Sequence, residues 1–243
     1  MLQPAFVLHS RPYRETSLLV DVLTEEEGRM SLLSYGAKKQ PALLKALLQP
    51  FTPLWIAWRG KTELMKLTTV EPSGVPCQLQ GECLLSGLYL NELLMRVLPK
   101  QDPVPLVYVA YRETLLKLQQ PPLQQKTLRL FEKKLLTELG YALPLERYSH
   151  TGKPISAKRY YQFSPDIGFH EYEKSYAEKQ QKQQAIFSGK MLLALANEQL
   201  ESVDCLQEAK QLMRLILAPL LGYKPLQSRR LFESYQSLLM PSK

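Results

Sequence analysis

The chain has 243 residues, enough for one large domain or two ordinary ones, and 45% hydrophobic content is that of a protein with buried cores, which argues against disorder. With 31 Lys and Arg against 23 Asp and Glu, the formal charge of +8 favours a polyanionic partner. No apolar run is long enough to span a membrane and the first residues do not read as a secretory leader, so a cytoplasmic protein is expected. Cys77, Cys83 and Cys205 are odd in number and lack C-x-x-C spacing, which disfavours both a disulfide framework and a structural zinc site.

Ala5 to Ser10 reads as a strand that Arg11-Pro12 ends. Ser17 to Thr24 and Arg29 to Tyr35 are strands joined by the turn cluster Glu25 to Gly28, and Gly36 breaks the second. Acids gather in the turn, whereas Arg29, Lys38 and Lys39 lie on the return strand and its exit loop, so one rim is expected to be positive. Ala42 to Leu48 has helix composition before Pro50 and Pro53. Leu54 to Arg59 and Glu63 to Val70 then flank the basic turn Gly60-Lys61-Thr62.

Three strands, a short helix and two strands is the order of an OB-fold, with a generic small β-barrel as the competing reading. OB-folds receive ligands on an open face and on the loops joining strands one to two and four to five. Those loops hold Arg11, Tyr13 and Arg14, and Arg59 and Lys61. Residues 29 to 66 carry seven basic side chains against the single acid Glu63, a local balance of +6. Cations neutralise phosphates and aromatic faces stack on unpaired bases, so the candidate nucleic-acid surface is Arg11, Arg14, Arg29, Lys38, Lys39, Lys45, Arg59, Lys61 and Lys66, with Tyr13, Tyr35, Trp55 and Trp58 nearby. The bland alternative is a merely solvated basic surface. Trp55 and Trp58 point to opposite sheet faces, so one of them belongs to the core.

Glu71-Pro72-Ser73-Gly74-Val75-Pro76 is a breaker cluster after which the period becomes helical, which divides the chain into domains 1–76 and 77–243. Gly81 to Leu98 is apolar on many sides and reads as a central helix. A second helix opens at Pro103 or Pro105 and runs to Leu118, and a third runs from Leu123 to Leu139 before Gly140. Residues 141–184 form an insertion, an irregular stretch or a β-ribbon, in which Glu173 to Gln184 reads as a solvated linker. Ser188 and Ser202 are N-caps for helices Gly189 to Leu200 and Val203 to Leu217, the latter ended by Pro219. A last amphipathic helix reaches Met240, with Leu231, Tyr235, Leu238 and Leu239 on one face. The expected class is α+β, an N-terminal OB-fold barrel followed by an α-helical domain.

Enzyme signatures fail on spacing. R-G-K-T at Arg59 to Thr62 ends like a phosphate-binding loop, but Trp55 occupies the position of its first glycine. No H-E-x-x-H and no G-x-S-x-G occur, so no catalytic residue, metal or cofactor is expected. On the third helix Lys126, Arg129 and Lys133 form a basic stripe beside Leu128, Phe131, Leu135 and Leu139. The spacing fits an ordinary amphipathic helix, and equally a site for an acidic peptide whose terminal carboxylate meets the arginine.

The run R-P-Y-R-E-T-S-L-L-V-D-V-L-T-E-E-E-G-R-M-S-L-L-S-Y-G-A-K-K at Arg11 to Lys39 has F-V-L-H-S-R-P leading into it and L-L-Q-P-F-T-P-L after it. S-G-L-Y-L-N-E-L-L at Ser86 to Leu94, L-G-Y at Leu139 and G-Y-K-P-L-Q-S-R-R-L-F at Gly222 follow in order. Together they resemble the bacterial recombination-mediator family RecO over nearly the whole chain. The resemblance implies the OB-fold and a non-enzymatic, nucleoid-associated DNA repair protein. It implies binding to single- and double-stranded DNA, annealing of complementary strands and, with RecR, loading of RecA onto SSB-coated single strands. It also implies that the helical domain binds the acidic tail of SSB, Arg129 in L-R-L-F-E matching a family arginine. Some relatives carry zinc-binding cysteines in the insertion; Tyr141 to Tyr176 has none, only His150 and His170, so zinc does not carry over. An OB-fold RNA-binding or adaptor protein without annealing activity is the alternative, and a metal-dependent phosphoryl enzyme a third reading. Lys224, Arg229 and Arg230 are either further DNA contacts or rim charges.

Overall fold

The structure, a computed structural model, describes residues 1–35, 42–60, 64–120, 124–148, 152–172 and 185–239. It divides into two compact units, Met1–Gln124 with Lys224–Lys243, and Gln125–Tyr223.

In the first unit β1 (Gln3–Tyr13), β2 (Ser17–Thr24) and β3 (Gly28–Ser34) form a meander, α1 (Ala42–Leu47) follows, and β4 (Pro53–Arg59) and β5 (Leu64–Pro72) complete the expected OB barrel. The strands close in the order β1-β2-β3-β5-β4, with β4 antiparallel to β1 and β3 parallel to β5. Strand alternation sends Val7, Val20, Val22, Leu32, Leu54 and Ile56 into one core. Burying each such side chain stabilises the fold by roughly 1.5–3 kcal/mol. Trp58 packs against this core, whereas Trp55 faces outward and is 42% exposed. Gly28 at the β2–β3 turn has φ +69°, and a Cβ there would lie 1.9 Å from the Asp102 carbonyl oxygen, so only glycine fits.

Contrary to expectation, Arg11-Pro12 does not end β1, which continues to Tyr13 opposite Ser17. Beyond Phe6 the strand has β2 beside it but no longer β4, and a residue without an amide is tolerated at such an edge.

α2 (Gly81–Val97) and α3 (Pro105–Leu118) pack against the barrel, Phe6 meeting Tyr111 edge-on at 5.4 Å. α7 (Gln227–Leu239) returns to lie on α2. Its start is fixed by Glu92, whose carboxylate accepts from the amides of Gln227 (2.9 Å) and Ser228 (2.8 Å) and from the Ser228 hydroxyl (2.8 Å). Ser228 is buried beneath this cap, and Phe232 and Tyr235, one and two turns later, are half-buried. The expected inner face is therefore corrected: Leu231 and Leu238 are 51% and 80% exposed.

Burial alone would raise the Glu92 carboxyl, but the hydrogen bonds from Ser228 and Gln227 and the charge of Arg96 outweigh it and hold the group below its ordinary value. A depressed acid contributes stability that is complete above the unfolded value, about 4.3 for Glu, and is lost as pH falls through the folded value. Denaturant midpoints measured against pH should show Glu92→Gln weakening the protein at neutrality and flattening its acid limb. Parallel curves for the two proteins would remove Glu92 from the acid response.

In the second unit α4 (Gln124–Glu138) ends where Gly140 takes φ +83° and the Tyr141 amide reaches the Leu136 carbonyl at 2.8 Å. β6 (Tyr160–Ser164) and β7 (Gly168–Glu171) form a hairpin, and β8 (Ile186–Ser188) adds to β6, a strand the sequence pattern does not reveal. Tyr148 packs on Tyr161 at 5.7 Å and Phe163 on Phe169 at 5.1 Å, giving this small sheet an aromatic centre. Glu173 to Gln184 and His150 lie outside the described residues. α5 (Gly189–Ala196) and α6 (Val203–Leu220) are capped by the Ser188 and Ser202 hydroxyls, each accepting a first-turn amide at 3.1 Å. Pro219 does not stop α6: it sits in the last turn, and the helix ends at Gly222 with φ +61°. A proline disturbs the turn before it, not the residues after it.

Among the described residues no group of His, Cys, Asp and Glu is placed to hold a metal ion, and no helix is long and apolar enough to cross a membrane. Exhaustive chelation is expected to leave the melting temperature and circular dichroism unchanged. A drop in melting temperature on chelation, restored by zinc, would contradict this.

Candidate nucleic-acid interface

The outer side of the barrel is set by strand register. Arg11 pairs with Leu19, Leu19 with Leu33, Leu33 with Lys66, and Lys66 with Arg59. Directly paired residues share a sheet face. Three cations distant in sequence therefore stand on one line across β1, β2, β3, β5 and β4, with Leu19 and Leu33 buried between them at 9% and 6% exposure. At about 4.8 Å per strand, Arg11 and Lys66 are about 14 Å apart along the sheet, with Arg59 on the next strand. That distance matches about four phosphates of a B-form strand, which rises about 3.4 Å per nucleotide.

Aromatic rings flank the line. Tyr13 ends β1 at this edge, and the Arg14 guanidinium lies 5.3 Å from its ring centre. Tyr35, which follows β3, is 55% exposed, and the Lys66 ammonium sits 5.2 Å from its ring centre. A cation on a ring face is worth about 0.5–1 kcal/mol at an exposed site, little enough for either partner to be given up to a ligand. Lys45 is exposed on α1, where its carbonyl accepts from Gln49 at 2.9 Å.

Arg29 stands apart from this group. It pairs with Leu23 at the other end of β3, next to the acidic turn, and its Nε donates to the Leu98 carbonyl at 2.9 Å while its own carbonyl accepts from the Gln101 amide at 2.9 Å. Desolvation lowers its pKa, with Asp21 opposing the shift. Arg29 stands at the start of β3 and Tyr35 follows its last residue, so the two lie at opposite ends of that strand. Lys38, Lys39 and Lys61 lie outside the described residues.

On α4 the three basic residues differ in setting. Lys126 is half-buried. Arg129 is 6% exposed, with NH2 donating to Glu132 Oε1 at 2.8 Å, and its Nε is buried without an acceptor among the described residues. Glu132 is fully buried, a partner that helical spacing offers at i+3 but that sequence reading overlooked. Lys133 closes the carboxyl end of α5, donating to the carbonyls of Leu195 (3.1 Å) and Ala196 (2.8 Å) and to Glu198 (3.2 Å). A lysine there complements the helix dipole. Leu128, Phe131 and Leu135 are buried beside them.

Residues 1–75 match the family Recombination protein O N terminal, and residues 78–230 match Recombination protein O C terminal. DNA repair protein RecO of Coxiella burnetii is 45% identical over 230 residues, spanning 95% of this chain and 97% of that protein. DNA repair protein RecO of Nitrosococcus oceani is 43% identical over 238 residues, 98% of this chain and 95% of that protein. The protein of the same description from Photobacterium profundum is 40% identical over 231 residues, 95% of each chain. Similarity at this level along both matched regions, on an OB barrel with a basic, aromatic-flanked face, leads to one conclusion: the chain belongs to the RecO family of DNA repair proteins.

Proposed function

We propose that this chain binds single- and double-stranded DNA on the outer face of its barrel, anneals complementary strands and, with RecR, helps load RecA onto SSB-coated single strands in the cytoplasm, without a catalytic step of its own. The observation that supports it most is the register line bringing Arg11, Lys66 and Arg59 together. Annealing needs a surface that screens two phosphate backbones while leaving bases able to pair. Spaced cations suit that task, because contacts to phosphates neutralise charge without reading the bases. Tyr13 and Tyr35 add faces on which unpaired bases stack, each worth about 1–3 kcal/mol. Lys38, Lys39, Lys45 and Lys61 extend the same surface in this reading, and Arg14 joins it through the β1–β2 turn.

The acidic tail of SSB is assigned to α4. Arg129 supplies a desolvated guanidinium whose Nε is unused, Lys126 lies one turn earlier, and Leu128 and Phe131 provide the apolar neighbourhood for an aromatic terminal residue.

Titration of labelled single strands and duplexes across a salt series, followed by annealing rates for bare and SSB-coated complementary strands with and without RecR, tests the proposal. Three phosphate contacts should give a log-log salt slope of about −2 on single strands. Binding without any acceleration of annealing would favour an OB-fold adaptor.

A further inference from the structure

We propose that Asn91 and Tyr111 are positioning residues for the DNA face: by holding a bulge at Leu8, they set the phase of β1 so that Arg11 and Tyr13 project from the barrel instead of into its mouth. The inference rests on the DNA-binding reading above and adds to it a role for the S-G-L-Y-L-N-E-L-L stretch, which that reading leaves unused.

In the first half of β1, Ala5 and Val7 point into the core. An uninterrupted strand would carry His9, Arg11 and Tyr13 inward as well, because side chains repeat with period two. The register shows why they are not there. Val7 pairs with Val22 and His9 with Asp21, so β1 advances two residues while β2 advances one. This is the signature of a bulge, and it exchanges the faces of everything downstream. After it Ser10 and Pro12 pair with Val20 and Leu18, which belong to the inner set, while Arg11 pairs with the outer residue Leu19.

A bulge takes backbone groups out of the ladder, and buried groups need partners elsewhere. The Leu8 carbonyl accepts from Asn91 Nδ2 of α2 at 2.8 Å, and the Val7 carbonyl accepts from the Phe51 amide at 3.2 Å. Asn91 is 3% exposed, so its amide cannot be satisfied by solvent. Its Oδ1 accepts from the Tyr111 hydroxyl of α3 at 2.6 Å. A backbone carbonyl can only accept, so Nδ2 must face Leu8, and the hydroxyl donor then fixes the other end of the amide. Tyr111 is fully buried, and burial pushes its hydroxyl well above the ordinary tyrosine value, so it remains a donor throughout the physiological range. Two helices thus supply the acceptor and donor pattern that only the bulged strand matches. A straight β1 would withdraw the Leu8 carbonyl and leave Asn91 buried and unpaired.

The test uses the full-length chain carrying His9→Cys or Ser10→Cys, each in the Asn91 and Asn91→Leu backgrounds, with thiol labelling read site by site by mass spectrometry. Circular dichroism and a cooperative thermal melt report whether the fold survives. With Asn91 present, the cysteine at the exposed position 9 should label faster than the one at the half-buried position 10. In Asn91→Leu the order should reverse while the melt stays cooperative. In parallel, Arg11→Ala should weaken binding of a single-stranded oligonucleotide about tenfold with Asn91 present, the scale of one charged hydrogen bond, and add nothing once Asn91 is replaced.

An unchanged labelling order together with a full Arg11→Ala effect in folded Asn91→Leu overturns the proposal, since the polar pair would then only anchor helices to the barrel. A reversed order with Arg11→Ala silent in both backgrounds upholds the phase device and instead defeats the DNA-face reading. Should Asn91→Leu fail to fold, Tyr111→Phe removes one hydroxyl and keeps the ring on Phe6. There the labelling difference must narrow and Arg11→Ala must lose part of its effect; wild-type behaviour in both overturns the proposal.

Discussion

Replacing Arg59 and Lys66 together by glutamate is expected to eliminate binding of single-stranded oligonucleotides at moderate salt while leaving the protein folded. Both side chains are exposed and stand side by side in the β4–β5 register, so the double change puts two negative charges where the line of cations crosses those strands. Neither residue belongs to the core. Among the described residues the contact forfeited is Lys66 on Tyr35, and surface changes of this kind shift stability by about 0.5 kcal/mol. Neutral replacements give the quantitative version. If each cation neutralises one phosphate, Arg59→Gln with Lys66→Gln should flatten the log-log salt slope by about 1.4 on single strands, at about 0.7 per contact. The loss should be alike for unrelated sequences, because phosphate contacts carry no base information. Arg29→Gln is the internal control: its Nε is committed to Leu98, so it should lower the melting temperature and leave the salt slope alone. An unchanged slope in the folded Gln variant, or a reduced slope in Arg29→Gln, would move the DNA surface to the other end of the barrel.

The outline of this fold is readable from the chain because its signals are local. Alternating aliphatics, the Glu25 to Gly28 turn, the Pro50 to Pro53 break and serine caps each act over a few residues, and they specify the barrel order and the helices. What escapes local reading depends on neighbours distant in sequence. Pro12 looks like a strand end until the strand is seen to have lost β4 beside it. Ile186 to Ser188 is too short to show a period and becomes a strand only because β6 offers an edge. Leu231 reads as an interior residue until Glu92, 135 residues before Gln227, fixes how α7 starts.

The same holds at the candidate site. A count of lysines and arginines between residues 29 and 66 finds the charge but cannot rank it. Register does so, by joining Arg11 to Lys66 and Arg59 and sending Arg29 to the opposite end. Buried polar residues are the least legible of all. Asn91 reads as one more position in an apolar helix, and its role exists only through a carbonyl 83 positions earlier.

Arg129 and Glu132 give the second large expected effect, and here stability and binding must be separated. Arg129→Ala should weaken capture of the SSB tail, but it also takes the guanidinium away from a fully buried carboxylate, and breaking a buried pair costs about 3–5 kcal/mol. The single variant therefore cannot assign a role. Replacing both residues with apolar ones of similar volume, Arg129→Met with Glu132→Leu, removes the two buried charges together and should restore most of that stability, since such swaps are often neutral or stabilising. If Arg129 receives the tail carboxylate, the restored protein still fails to bind a peptide of the SSB tail, while its affinity for free single strands matches wild type. Glu132→Gln sharpens the test. It keeps an acceptor for the guanidinium but removes the negative charge that competes with an incoming carboxylate, so tail affinity should rise. Denaturant melts, peptide titration and oligonucleotide titration on the same preparations decide the matter. Tail binding that returns in full with stability in the Met and Leu protein would make the pair an internal strut and move the peptide site off α4.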